Sequence, residues 1–478
     1  MSFTTSSFYL LLAATLLGFW SMRGQRARLW LLLAASFVFY GAWSVKYSLL
    51  LAFSAALDYT VALLLGRVDD PLRRKWLLWA SLAGNLGVLG FFKYYNFFAE
   101  AFVEFTALVG LPVSLPVAQV LLPIGISFYT FQTLSYSIDV YRRRFAPCRD
   151  PLQFFVYVTY FPQLVAGPIE RASHLLPQLG DLAAKQLNRA QVQVAVNRIL
   201  LGLFKKLVIA DSLAPQVDML FSSYERFGAA GVALGALGFT LQIYCDFSAY
   251  SDIAIGVAAL FGVRLSENFR APYLAASPGE MWSRWHITLF AWLRDYLYAP
   301  LRHIRLLRGR RKTMGFLVML VSGLWHGANY TFVVWGAFSG LALTLHRLIA
   351  ERGLAAPLPA PVRVLAGWAA TFFGVWVLSA VMFRSQGLGQ MLDMYRLLFS
   401  LTPGELALGH LGLFGFWVGL VALEHAGVEA HHRSAGFRRW LASPSRQWAA
   451  LGFLLPIDFA FFFRDPGEWG APFIYFAF

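Results

Sequence analysis

Long stretches without Lys, Arg, Asp or Glu alternate along this chain with short basic clusters. Charge-free runs cover residues 29–45, 76–92, 227–245, 364–383 and 406–423. Each is close to the roughly 20 apolar residues that carry a helix across a bilayer. The longest, 313–345, exceeds one crossing at a helical rise of 1.5 Å per residue. The pattern predicts an all-α polytopic membrane protein with roughly 11–12 transmembrane helices. Two stretches break it. Leu122-Pro123-Ile124-Gly125 opens an aromatic segment to Tyr141 that carries Ser127, Gln132 and Asp139. Residues 266–300 mix Pro272, Pro278 and Pro300 with Glu267, Arg270, Glu280, Arg284, His286, Arg294 and Asp295. Non-helical backbone at membrane depth is tolerated only where protein or a water-filled cavity covers it, so both are candidates for re-entrant or interfacial structure.

The basic clusters predict orientation. No basic residue precedes the first apolar run, whereas Arg23, Arg26 and Arg28 follow it. That order is the reverse of a cleaved signal peptide. The positive-inside rule places 23–28 in the cytoplasm and the N-terminus outside. The next link holds only Lys46, and Arg67, Arg73, Arg74 and Lys75 cluster again. Arg142-Arg143-Arg144, Lys205-Lys206 and the run 302–312 read as further positive-inside loops, with attraction for anionic membrane lipids. They account for the net charge of +15 without a nucleic-acid partner. The run with Arg308, Arg310 and Arg311 also suits the phosphates of an anionic nucleotide cofactor, although topology alone accounts for it.

Composition agrees. Hydrophobic residues make up 58% and charged residues 14% of 478 positions, where a soluble domain carries about 25% charged residues. The longest polar stretches, 169–191 and 424–447, are short for independent folds, so 1–478 reads as one membrane-embedded domain. Cys148 and Cys245 form no CxxC pair, and His431-His432 lacks further ligands at metal-site spacing, so no metal is expected. Gly231, Gly235 and Gly238 read as a close helix-packing face.

Candidate chemistry sits in three polar clusters within apolar sequence. Asp246 and Asp252 lie in Gln242-Ile243-Tyr244-Cys245-Asp246-Phe247-Ser248 and its continuation, and should face the interior. Arg284 and His286 lie in Met281-Trp282-Ser283-Arg284-Trp285-His286-Ile287. Trp325, His326 and Asn329 lie in the longest charge-free run, where an ionisable group is costly and usually functional. The plain alternative for His326 is a hydrogen bond to a neighbouring helix that only fixes packing.

Together these residues resemble the membrane-bound O-acyltransferases, in the branch of the bacterial alginate O-acetylase membrane subunit, with the teichoic-acid D-alanyl transferase subunit as a relative. The resemblance runs through residues 85–98, 123–139, 161–170, 244–273, 282–301, 325–329 and 472–478. Departures from the alginate-type pattern fall at Cys245, Ala249, Ser266 and Arg302-His303, none of them a proposed reacting group. The resemblance implies a bowl of tilted helices around a central tunnel, His326 as the catalytic position and His286 as the second site position. It also implies acetyl-CoA as cytoplasmic donor, an exopolysaccharide acceptor, and a periplasmic acetyltransferase or acyl-relay protein as partner. The location would be the bacterial inner membrane.

The chemistry expected is acyl transfer from a thioester to a hydroxyl, with His326 as general base. Asn329, three residues on, is a candidate oxyanion donor if it shares a helical face with His326. His286 would orient the acceptor, bind the thioester carbonyl, or join a network with Asp246 and Asp252. Asp246, Asp252, Trp325, Asn329 and Arg284 are candidate substrate or tunnel-lining positions. Rival readings are the same fold carrying D-alanyl or another acyl group, a transporter or flippase using buried His and Asp, and a non-catalytic scaffold.

Overall fold

The computed structural model describes residues 1–111, 113–116, 121–354, 358–405, 408–462 and 473. Of the segment 472–478, only Phe473 lies within them. The described chain is helical, without a strand. Among the described residues five helices are long and apolar enough to cross a membrane: Val45–Leu65, Tyr224–Leu260, Tyr330–Glu351, Ala360–Arg384 and Gly409–Arg433. Other charge-free runs form shorter helices, Ser6–Ser21 with 16 residues and Gln25–Gly41 with 17. Fewer helices therefore qualify by length than the run count gives. Two compact units can be distinguished, residues 1–196 with 254–266, and residues 197–253 with 267–478.

In the first unit a buried carboxylate ties three helices. Asp58 sits midway along Val45–Leu65, where a bare charge would be costly. Its oxygens accept from the hydroxyls of Ser81 and Ser137 and from the Asn85 amide at 2.7 Å. These donors come from Pro71–Leu89 and Ile126–Tyr141. The segment opening at Pro123 leads into one 16-residue helix, buried over nearly its whole length. Gly125 starts it with φ 75°, and a Cβ there would lie 2.7 Å from the Leu164 carbonyl oxygen. Only glycine fits both demands.

In the second unit, close approach of helices does similar work. A Cβ on Gly235 would lie 3.2 Å from Leu220 Cβ, and one on Gly238 only 2.3 Å from the Phe414 ring. The expected glycine face is real. The charge-free run 313–345 folds as a hairpin of Arg311–His326 and Tyr330–Glu351. Its helices meet through glycines: a Cβ on Gly323 would lie 2.2 Å from the Phe332 carbonyl oxygen, and one on Gly336 2.6 Å from that of Met319. Residues 266–300 are broken as anticipated, into Pro272–Leu274, Pro278–Arg284, Ile287–Trp292, a π-helical turn Leu293–Tyr298, and Ala299–Leu301. Ser277 starts the second piece by accepting from the Glu280 N–H at 3.2 Å, while the Glu280 carboxylate accepts from the Ala276 N–H at 2.9 Å. The first of these contacts is what a serine followed three residues later by glutamate favours, while the glutamate reaches one residue beyond the cap.

Candidate active site

His326 is the last residue of its helix, and Gly327 leaves the helix in extended conformation (φ −163°, ψ 155°). The glycine contacts of the hairpin fix where that helix ends. The imidazole is buried, packed edge-on against Trp335 at 5.0 Å and Phe383 at 5.2 Å between ring centroids. It lines a small cavity of about 30 Å³ whose other walls include Phe239, Thr240, Ile243, Trp285, Trp376 and Ser379. Apart from His326, the polar side chains there are two hydroxyls, of Thr240 and Ser379, and three indoles, of Trp285, Trp335 and Trp376.

His286 comes from the broken segment and is completely buried. Its backbone is left-handed, φ 44° and ψ 52°, at the N-terminus of Ile287–Trp292. Such a conformation in a residue other than glycine costs about 1–3 kcal/mol and persists only where the surroundings impose it. The ring stands edge-on to Phe247 at 4.7 Å, and its Nδ1 is 3.1 Å from Asn268 Oδ1. The Trp325 indole lies 6.0 Å from the His286 ring and 4.9 Å from the His326 ring, centroid to centroid. Both histidine rings thus lie against one tryptophan, Trp325.

Asn329 and Arg284 make other contacts. Asn329 does not share a helical face with His326. It is the N-cap of Tyr330–Glu351, accepting from the Thr331 N–H at 3.0 Å and donating to the Gln386 carbonyl at 2.9 Å. The helix break at Gly327 removes the spacing argument for an oxyanion role. Arg284 is buried between carboxylates, donating to Glu280 at 2.7 Å and Glu429 at 2.9 Å. That pairing fits a structural cation better than a substrate-binding one.

Asp246 and Asp252 face the interior, as expected, and each meets a lysine. Lys206 lies 3.0 Å from Asp246 and 2.8 Å from Asp211. Lys205 pairs with Asp252, donates to Ser248 at 2.9 Å, and lies 3.8 Å from Glu424. Arg198 adds a 3.0 Å contact to Asp252. Lys205-Lys206 is therefore not a positive-inside loop. Both lysines are buried in the π-helical turn Phe204–Ala210, because two interior carboxylates need counter-charges. The basic run 302–312, by contrast, is an exposed turn leading into the N-terminus of the 311–326 helix. Arg302, Arg310, Arg311, Lys312 and Arg347 line a pocket there with one carboxylate, Glu351, which pairs with Lys312. Among the described residues no group of His, Cys, Asp and Glu could hold a metal ion.

Sequence reasoning did not single out Asn268, Glu424, or His425, which is buried beside Glu424 at 2.8 Å and stacked on Tyr273. For Asn268 a signal existed: it lies in the same broken polar segment as His286.

Comparison with known proteins places this arrangement among relatives. The model of a family described as MBOAT, membrane-bound O-acyltransferase family, matches residues 148–383. The chain is 38% identical to the probable alginate O-acetylase AlgI of Pseudomonas aeruginosa, over 89% of this chain and 80% of that protein. It is 36% identical to the peptidoglycan O-acetyltransferase of Helicobacter pylori, over 67% of this chain and 64% of that protein. It is 23% identical to the teichoic acid D-alanyltransferase of Bacillus subtilis, over 47% of this chain and 58% of that protein. The matched residues 148–383 contain both histidines.

Proposed function

The chain belongs to the membrane-bound O-acyltransferase family, and on that premise we propose that it passes acetyl groups across the bacterial inner membrane to an extracellular polysaccharide. The donor is cytoplasmic acetyl-CoA. The acceptor is a hydroxyl of an alginate-like polymer or of a periplasmic relay protein. The observation that carries the reading is the pair of buried histidines that both lie against Trp325, one of them beside a small aromatic cavity.

His326 acts as general base. Its imidazole takes the proton of the acceptor hydroxyl as the oxygen attacks the acetyl carbonyl, and returns it to the departing thiolate. Aromatic walls exclude water, which would otherwise compete as acceptor. His286 orients the acceptor, held in place by its strained turn. The basic pocket at the start of the 311–326 helix, where positive side chains and unpaired helical N–H groups coincide, offers a cytoplasmic anchor for the donor's phosphates.

Transfer of D-alanyl is favoured less, since the D-alanyltransferase likeness covers 47% of the chain against 89% for the alginate O-acetylase. A transporter relay is also favoured less, because Asp246 and Asp252 are neutralised by lysines. The test is mass spectrometry of the exported polysaccharide from cells with wild-type protein, His326→Ala, or neither. Acetyl esters should appear with the wild type alone. Equal acetylation with His326→Ala, or the same pattern with no protein, contradicts the proposal.

A further inference from the structure

We infer that Asn268 is a positioning residue that fixes the ring and tautomer of His286, and that it acts on catalysis through His286. The inference rests on the reading of His286 given above.

One amide holds the whole turn. The Asn268 carbonyl accepts from the Ile287 N–H at 2.9 Å, and Arg270 N–H donates to the Arg284 carbonyl at 2.9 Å, so the backbone of residues 268–270 clamps the backbone either side of His286. The side chain completes the clamp. Its Oδ1 accepts from the Thr288 N–H at 3.3 Å and the Thr288 hydroxyl at 2.9 Å, and its Nδ2 donates to Ser251 at 3.1 Å. Asn268 is 1% exposed and His286 0%.

These contacts settle which nitrogen of His286 bears hydrogen. A backbone N–H can only donate, so the Asn268 atom facing Thr288 N is the amide oxygen and not its nitrogen. His286 Nδ1 lies 3.1 Å from that same oxygen, and two acceptors do not hydrogen-bond, so Nδ1 carries the proton. In the neutral ring Nε2 is then the acceptor. A histidine so fixed can accept from an acceptor hydroxyl but cannot donate from Nε2 to a thioester carbonyl. Of the roles open to His286, this selects orientation of the nucleophile.

The strain at His286 strengthens the case. Released from the clamp, the residue has every reason to relax out of φ 44°, taking the ring away from Trp325. Orienting partners of this kind typically cost about 10–100-fold in activity when removed.

The experiment is a double-mutant cycle on the full-length protein in membranes, reading kcat and KM for acetyl transfer from acetyl-CoA. Asn268→Ala should lower kcat roughly 10–100-fold with KM for acetyl-CoA little changed. Asn268→Asp keeps an oxygen acceptor for His286 and Thr288, and should recover most of the loss. In a His286→Ala background, Asn268→Ala should slow the enzyme no further, because two residues that act as one unit are not additive. A double mutant slower by the product of the two single effects overturns the inference, as does Asn268→Ala at the wild-type rate. Should Asn268→Ala fail to accumulate, Asn268→Asp decides: a folded protein as slow as His286→Ala also overturns it. If His286→Ala itself runs at the wild-type rate, the underlying reading of His286 has failed instead.

Discussion

His326 ends its helix, and truncating it removes the proposed base while leaving the glycine contacts that hold the hairpin. His326→Ala should therefore accumulate in membranes normally and lose acetyl transfer by about 10²–10⁴-fold, the usual range for a lost general base. Turnover within a factor of two of wild type removes His326 from the mechanism. His286→Asn should keep more activity than His286→Ala, since an amide can replace a hydrogen bond but cannot titrate. Equal and complete loss in both means that His286 itself exchanges a proton. His174 offers a pH test away from the site. Its hydrogen bond to the buried Glu170, 2.7 Å, raises its imidazole above the ordinary 6.5 despite some burial. A raised folded value means the contribution is complete below 6.5 and fades as pH climbs through the folded value. Melting of wild type and His174→Ala should thus differ most in mild acid and converge in alkali. A gap that widens with pH reverses the sign of this account. At this scale the two histidines were legible because each stands out chemically from its apolar surroundings. The partners of Asp246 and Asp252 were not: a basic pair reads alike whether it marks a loop or neutralises buried carboxylates, and only folding brings Lys205 and Lys206 onto them.

The hairpin of Arg311–His326 and Tyr330–Glu351 converts glycine spacing into the position of a reactive group. Gly336→Val would press branched carbons into a space where even a Cβ comes within 2.6 Å of the Met319 carbonyl oxygen. Overpacking of this sort costs about 1–3 kcal/mol. Thermal unfolding in detergent should report that loss, with activity falling as the helix end shifts. A Gly336→Val protein as stable and active as wild type means the helices are not held this closely. The element boundaries were harder to read than the elements. The run 313–345 carries no charge to mark its turn, so Asn329 looked like a neighbour of His326 on one helix. Gly327 breaks that helix and makes Asn329 a cap. The prolines of 266–300, in contrast, announced a broken segment, and it is this segment that carries His286 into the interior.

For the whole molecule, helical membrane architecture followed from the long charge-free runs and family from ordered motifs spread over most of the chain. Sidedness is the link between them. The positive-inside rule puts the exposed turn 302–312 in the cytoplasm, and the 16 residues of the following helix carry His326 away from it. In a protein lacking Cys148 and Cys245, a cysteine at exposed Leu306 should react with an impermeant thiol reagent only from the cytoplasm, and one at Tyr330 from the opposite face or not at all. Labelling of both from one face would rule out transfer across the membrane while leaving an acyltransferase.

Transfer from one face to the other by His326 is the central claim, and it can be measured directly. Inverted membrane vesicles, cytoplasmic face outward, are given acetyl-CoA labelled in its acetyl group, with the polysaccharide or its relay protein enclosed in the lumen. The account predicts ester-linked label inside the lumen, protected from an esterase added outside, with the wild type and not with His326→Ala. Label that remains wholly accessible to the external esterase, or equal luminal label with His326→Ala, would contradict it.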